Sequence, residues 1–271
     1  MKSIRFRDKL ISFQVEGAGA PVVLLHGFCE DQRIWDDFKT DLIGTGYKVV
    51  TIDLPGFGNS EVPLVPSIAY MAEGVNAVLN HLDILHFIII GHSMGGYVSL
   101  AYGEKYSDNL SGLGLFHSHC FEDSAEKKGA RKKSIDFVKE HGVGPYVKQV
   151  IPSLFAADFF IQNAPVISDL TEKAGSYAPG GVINALQAMH DKPDQSEILK
   201  QISVPVLFII GKKDLVTPFD LCIEQTHYPE KASIHVLEEA GHMGMFEATG
   251  ECQKILRDFV GYCLQKNNSG R

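Results

Sequence analysis

Three residue types that together activate a hydroxyl stand far apart in this chain, each just past an apolar run. Ser93 follows Phe87 to Ile90, Asp214 follows Val204 to Ile210, and His242 follows Ala232 to Leu237. A serine hydroxyl is a poor nucleophile at neutral pH, so it needs a base to take its proton during attack and return it to the leaving group. A histidine suits that task, and a carboxylate beside it fixes the ring tautomer and stabilises the imidazolium. Gly91 and Gly95 flank the serine in Gly91-His92-Ser93-Met94-Gly95, where bulky side chains would block a sharp reversal from strand to helix.

The surrounding elements have to bring these residues together. Residues 3–16 alternate apolar and polar around Arg7-Asp8-Lys9, which predicts a two-stranded hairpin. Pro21 to Leu25, Tyr47 to Ile52, Phe87 to Ile90, Leu110 to Phe116, Val204 to Ile210 and Ala232 to Leu237 read as strands, several of them apolar throughout. Helical patterns over Asp31 to Ile43, Ser67 to Leu82 and Ser93 to Tyr106 separate the first four, and Gly250 to Gln265 closes the chain as a helix. Such alternation implies a mostly parallel, eight-stranded α/β sheet with an antiparallel N-terminal hairpin and helices on both faces. The rhythm breaks between 118 and 199, where only helical patterns occur. These begin with Ala130 to Glu140 and end with Pro179 to His190, so the expected organisation is a core of 1–117 and 200–271 carrying a helical lid. In an open parallel sheet the site lies outside the carboxyl ends of the strands, which is where Ser93, Asp214 and His242 fall.

Composition excludes several classes. With 271 residues, 45% hydrophobic and 21% charged, the chain can bury a large core and is neither disordered nor fibrous. A formal net charge of -8 argues against a nucleic-acid partner, and the one basic cluster, Lys127 to Lys133, reads as a solvated helix face or loop. Five scattered cysteines form no C-x-x-C pair, so no disulfide framework or zinc site is indicated. The charged N-terminus lacks an apolar core, and no stretch has the ~20 apolar residues of a membrane span. A cytoplasmic protein without membrane contact, metal or cofactor is expected, as monomer or homodimer.

Five motifs in order resemble the α/β-hydrolase family: His26-Gly27-Phe28, Asp53-Leu54-Pro55-Gly56-Phe57-Gly58, Gly91-His92-Ser93-Met94-Gly95-Gly96, Gly211-Lys212-Lys213-Asp214 and Gly241-His242-Met243. The chain order serine, aspartate, histidine is also the family's. The resemblance implies a triad of Ser93, Asp214 and His242 on a nucleophile elbow, with the backbone N–H groups of Phe28 and Met94 as the oxyanion hole. His26 is expected to order the loop that carries Phe28, and Asp53 and Glu247 to make structural hydrogen bonds.

In this family the insertion shapes the substrate pocket. Here it is rich in apolar residues, which implies a mainly apolar acyl or alcohol group. Cys29, His117, Phe121, Phe155, Met189, Leu215 and Met243 are the expected lining. The resemblance implies a hydrolase of small to medium carboxylic esters working through an acyl-enzyme. Lactone, thioester or C–C bond hydrolysis and perhydrolysis use the same triad and stay open, as does a non-catalytic ligand receptor. Haloalkane dehalogenases and epoxide hydrolases carry aspartate where this chain has Ser93, which sets them aside.

Overall fold

Uninterrupted apolar runs become strands covered on both faces, and they set the order of everything else. The computed structural model describes residues 1–65 and 67–268. Strands β1 (Lys2–Phe6), β2 (Lys9–Gly17), β3 (Pro21–Leu25), β4 (Lys48–Ile52), β5 (Phe87–His92), β6 (Leu110–Phe116), β7 (Val206–Gly211) and β8 (Ala232–Leu237) form one eight-stranded sheet. Its order is β1-β2-β4-β3-β5-β6-β7-β8. The β1–β2 and β2–β4 pairs are antiparallel and the rest parallel. Every residue of β5, β6 and β7 is buried, as the sequence pattern required of central strands.

Helices α1 (Asp36–Gly44), α2 (Ile68–His81) and α3 (Met94–Tyr106) belong to the crossovers of the first half. The stretch read as one helix from Asp31 to Ile43 is in fact a 3₁₀ turn, Gln32–Trp35, followed by α1. Asp31 caps that turn through the Arg33 N–H, and Gln32 is fastened to Asp53 by two 3.0 Å hydrogen bonds. Ser67 caps α2, accepting from the Tyr70 N–H at 3.0 Å.

Between β6 and β7 come only helices: α4 (Ala125–His141), α5 (Val143–Ser153), α6 (Ala157–Gln162), α7 (Ala164–Gly175), α8 (Pro179–His190) and α9 (Ser196–Gln201). The first starts five residues before the sequence pattern placed it, because Ser124 caps it through the Lys127 N–H at 3.2 Å. Then follow α10 (Phe219–Glu224), α11 (Gly244–Glu247) and α12 (Thr249–Asn268). On one face α2 packs on α3, which lies against β3, β5 and β6, while α12 reaches β6 from the other face beside α1. Among the described residues no helix is long and apolar enough to cross a membrane, and all five cysteines are buried and unpaired.

Candidate active site

The turn after β5 is the most constrained backbone of the site. Ser93 has φ 49° and ψ -114°, a left-handed conformation that costs a non-glycine residue about 1–3 kcal/mol and persists only where the surroundings enforce it. They do so here. The Ser93 N–H donates to Phe116 O at 2.9 Å, and its carbonyl accepts from Gly96 N–H at 2.9 Å and from Ser118 Oγ at 2.8 Å. A β-carbon at Gly91 would run into the backbone of Gly95, and one at Gly95 into the carbonyl of Leu25. The two glycines therefore let the first turn of α3 press against β3 and β5 while the serine stands at the bend.

Beyond β7 and β8 the chain brings Asp214 to His242. His242 Nδ1 donates to Asp214 Oδ2 at 2.7 Å, which leaves Nε2 as the unprotonated nitrogen of the neutral ring. The carboxylate also accepts from the Val216 and Thr217 N–H groups, at 2.7 and 2.9 Å, and from the Thr217 hydroxyl. Burial alone would raise the Asp214 carboxyl, but the neighbouring His242 ring outweighs it and holds it far below the usual carboxylate range. Ser93 and His242 line one cavity of about 170 Å³, together with Phe28, Glu30, Tyr97, Arg131, Tyr146, Val150, Ser153, Leu154, Met189 and Val216.

The backbone of His242 is fixed on every side. Its N–H donates to Leu154 O at 2.7 Å and its carbonyl accepts from His92 Nε2 at 2.9 Å. Glu247 accepts from the N–H groups of Gly241 and Met243 at 3.0 and 2.9 Å, and from that of Ala156 at 2.8 Å. The loop after β3 is held likewise. His26 bridges Gly27 O and the Leu54 N–H, both at 2.8 Å, and Glu30 Oε2 accepts from the Gly27 N–H at 2.6 Å.

Of the residues expected to line a pocket, Met189 does. Leu215 does not: it is 84% exposed, because the N–H groups of Val216 and Thr217 turn back onto Asp214 and bring Val216 to the cavity instead. Cys29, at φ 58°, is buried beside Ile34 and Tyr177 on the far side of its loop, where burial and then Glu30 push its thiol pKa up. Phe121 packs against His119 and Tyr228, and Phe155 stacks on Phe159, while Met243 is buried beneath the loop. His117 also lies beneath. Its Nδ1 accepts the Gly211 N–H at 3.1 Å, and burial lowers its pKa to about 4, so the ring is neutral and its 3.4 Å approach to Asp214 is no ion pair.

His117, Asp214 and His242 bring three ligand atoms within 4.8 Å of one another. A cation would find little there, since Asp214 already accepts four hydrogen bonds, as many as its lone pairs allow. Sequence reasoning missed four lining residues of consequence. Glu30 and Tyr97 stand just past the His26-Gly27-Phe28 and Gly91-to-Gly96 motifs, where nothing in their spacing marks a side-chain direction. Tyr146 and Arg131 lie on helices whose start and rotation decide what they face.

Known proteins share this fold. Residues 20–131 match the family described as alpha/beta hydrolase fold. The AB hydrolase superfamily protein YisY of Bacillus subtilis is 26% identical, covering 90% of this chain and 92% of that protein. The pimeloyl-[acyl-carrier protein] methyl ester esterase of Aeromonas hydrophila is 28% identical, over 93% and 99% of the two chains. Among solved structures, a thermophilic esterase from Thermogutta terrifontis with malate bound superposes with a TM-score of 0.89 at 30% identity, covering 94% of each chain. By sequence and by architecture alike, this chain belongs to the α/β-hydrolase fold family, and its relatives support a hydrolase activity.

Proposed function

We propose that the chain is a serine hydrolase of small carboxylic esters. The observation that carries this reading is the meeting of three features at one cavity: a serine on a strained strand-to-helix bend, a histidine whose Nδ1 proton is held by a buried carboxylate, and that histidine's second nitrogen left free.

Ser93 Oγ attacks the ester carbonyl carbon as His242 Nε2 takes the hydroxyl proton. Negative charge collects on the carbonyl oxygen and is met by the backbone N–H groups of Phe28 and Met94. Met94 is the first residue of α3, where a backbone N–H has no acceptor within the helix. The carbon–oxygen bond to the alcohol breaks, His242 gives its proton to the departing oxygen, and an acyl-Ser93 ester remains. Water, deprotonated by the same nitrogen, attacks that ester and frees the acid and the serine. Asp214 keeps the ring in the tautomer both halves need.

Residues 118–199 act as a lid over this site, since Arg131, Tyr146, Val150, Ser153, Leu154 and Met189 all contribute to the cavity wall. An apolar cavity of about 150 Å³ accepts benzene, so about 170 Å³ suits an acid of only a few carbons. Five buried, unpaired thiols suit a reducing compartment, and we place the protein in the cytoplasm. Ser93→Ala is expected to abolish hydrolysis of p-nitrophenyl butyrate, with a fluorophosphonate probe labelling Ser93 alone in the unaltered chain. Full activity in the variant, or label on another residue, would overturn the reading.

A further inference from the structure

The cavity wall contains a cation that its neighbours do not neutralise. Just before α4, Asp123 has a fully buried side chain, and Arg131, two turns into the helix, reaches back to it through Nε and through Nη2 at 3.4 Å. Lys127 stands between them on the same helix. Its Nζ lies 3.9 Å from Asp123 Oδ1 and donates to Val216 O at 3.1 Å. Two cations thus share one carboxylate, leaving a net charge of about +1 in a mostly buried place. Burial is the first cause of the lowered Lys127 pKa, with Asp123 opposing it and Arg131 adding to it, as expected of an excess of positive charge.

Other carboxylates near the cavity are committed elsewhere. Glu30 is held by His92 and the Gly27 N–H, and Asp214 by His242 and the Val216–Thr217 turn. Of the guanidinium nitrogens of Arg131, Nη1 makes no hydrogen bond to the protein among the described residues, while Arg131 itself lines the cavity that holds Ser93 and His242. A guanidinium with a free edge at a largely aromatic and aliphatic cavity favours an anion with two oxygens in a plane.

We propose that Arg131 is the specificity-determining residue of the site and that it recognises a carboxylate on the substrate, remote from the ester being cleaved. The substrate class is then the monoesters of short dicarboxylic acids, a deepening that rests on the esterase reading above. The acid group would pair with Arg131, Lys127 would complete the charge balance against Asp123, and the ester carbonyl would reach Ser93.

The test compares kcat/KM for monomethyl succinate and monomethyl glutarate with that for methyl butyrate and methyl pentanoate, by titration of released acid. The acidic esters should be favoured about ten- to a hundredfold, chiefly through KM, as a charge-assisted hydrogen bond would give. Arg131→Gln leaves Asp123 balanced by Lys127, 3.9 Å away, so no buried carboxylate is stranded and no excess cation remains, and it should bring the ratio close to one. Calorimetry adds a readout free of turnover: glutarate should bind the Ser93→Ala protein more tightly than butyrate, and adding Arg131→Gln should erase the difference. Neutral esters cleaved as well as acidic ones by the unaltered chain, or an acid preference that survives Arg131→Gln, overturns the role of Arg131 while leaving the esterase reading intact. Failure of the esterase reading looks different, as no ester is cleaved and Ser93 is not labelled.

Discussion

His92 Nδ1 lies 3.0 Å from Glu30 Oε2, while Nε2 of the same ring lies 2.9 Å from the carbonyl oxygen of His242. Both neighbours are oxygens, and an imidazolium with a proton on each nitrogen, paired with the Glu30 carboxylate, satisfies both, in keeping with the raised His92 and lowered Glu30 pKa. This buried pair ties the loop after β3, which carries Phe28, to the loop after β8, which carries His242, directly behind Ser93. Burial opposes both charges. Even so, Glu30 and the His242 carbonyl raise the His92 pKa, and His92 with the Gly27 N–H lowers that of Glu30.

Removing one member leaves the other charge buried alone. Glu30→Leu is expected to destabilise the protein by about 3–5 kcal/mol in urea titrations, while Glu30→Leu with His92→Leu should recover part of the loss. A single variant as stable as the parent would show that the pair is not ionised.

The pair also predicts a stability profile. The His92 pKa is raised above 6.5, so its contribution is complete below about that pH and is lost as pH rises through the raised value. Glu30 is lowered below 4.5, so its contribution is present above about that pH and is lost as pH falls through the lowered value. Melting temperature against pH should form a plateau between the two limits, and His92→Asn should remove the share of the alkaline decline that this group causes.

At the elbow, strain has a measurable counterpart. Ser93→Gly places the residue that tolerates φ 49° best, while Ser93→Ala keeps the strain. Calorimetric melting should show the glycine variant at least as stable as the alanine one, despite the extra unfolded-state entropy of glycine, which elsewhere costs about 0.5–1 kcal/mol. An alanine variant clearly more stable than glycine would mean that the bend is not strained.

Asp214→Asn should lower kcat by about 10⁴-fold with methyl butyrate, because the amide can no longer hold His242 in the Nδ1–H tautomer. The Val216 and Thr217 N–H groups make this change harsher, since they need an acceptor at the same side chain. A loss below tenfold would argue against His242 as the base.

Much of this was legible from residue types alone. Apolar runs such as Phe87 to Ile90 announce strands buried on both faces, and each strand-end motif then follows its strand to the same rim of the sheet. Direction was harder. Lys127 to Lys133 reads as a solvated face, yet Arg131 turns inward because Ser124 starts α4 early and Asp123 waits just ahead of it, a relation that no periodicity carries. Leu215 and Cys29 mislead for a similar reason: hydrogen bonds to Asp214 and a left-handed φ of 58°, respectively, decide which way a neighbour of the site points.

Glu247 accepts from Ala156 as well as from Gly241, and Leu154 accepts from His242, so part of the insertion is stitched to the histidine loop. Exchange of this helical insertion, a natural way to retune selectivity, therefore cannot treat residues 118–199 as a detachable module. A graft that keeps residues 154–156 of this chain, with Glu247 beneath them, preserves the register of His242, whereas one cut through them shifts the histidine loop along with the cavity wall.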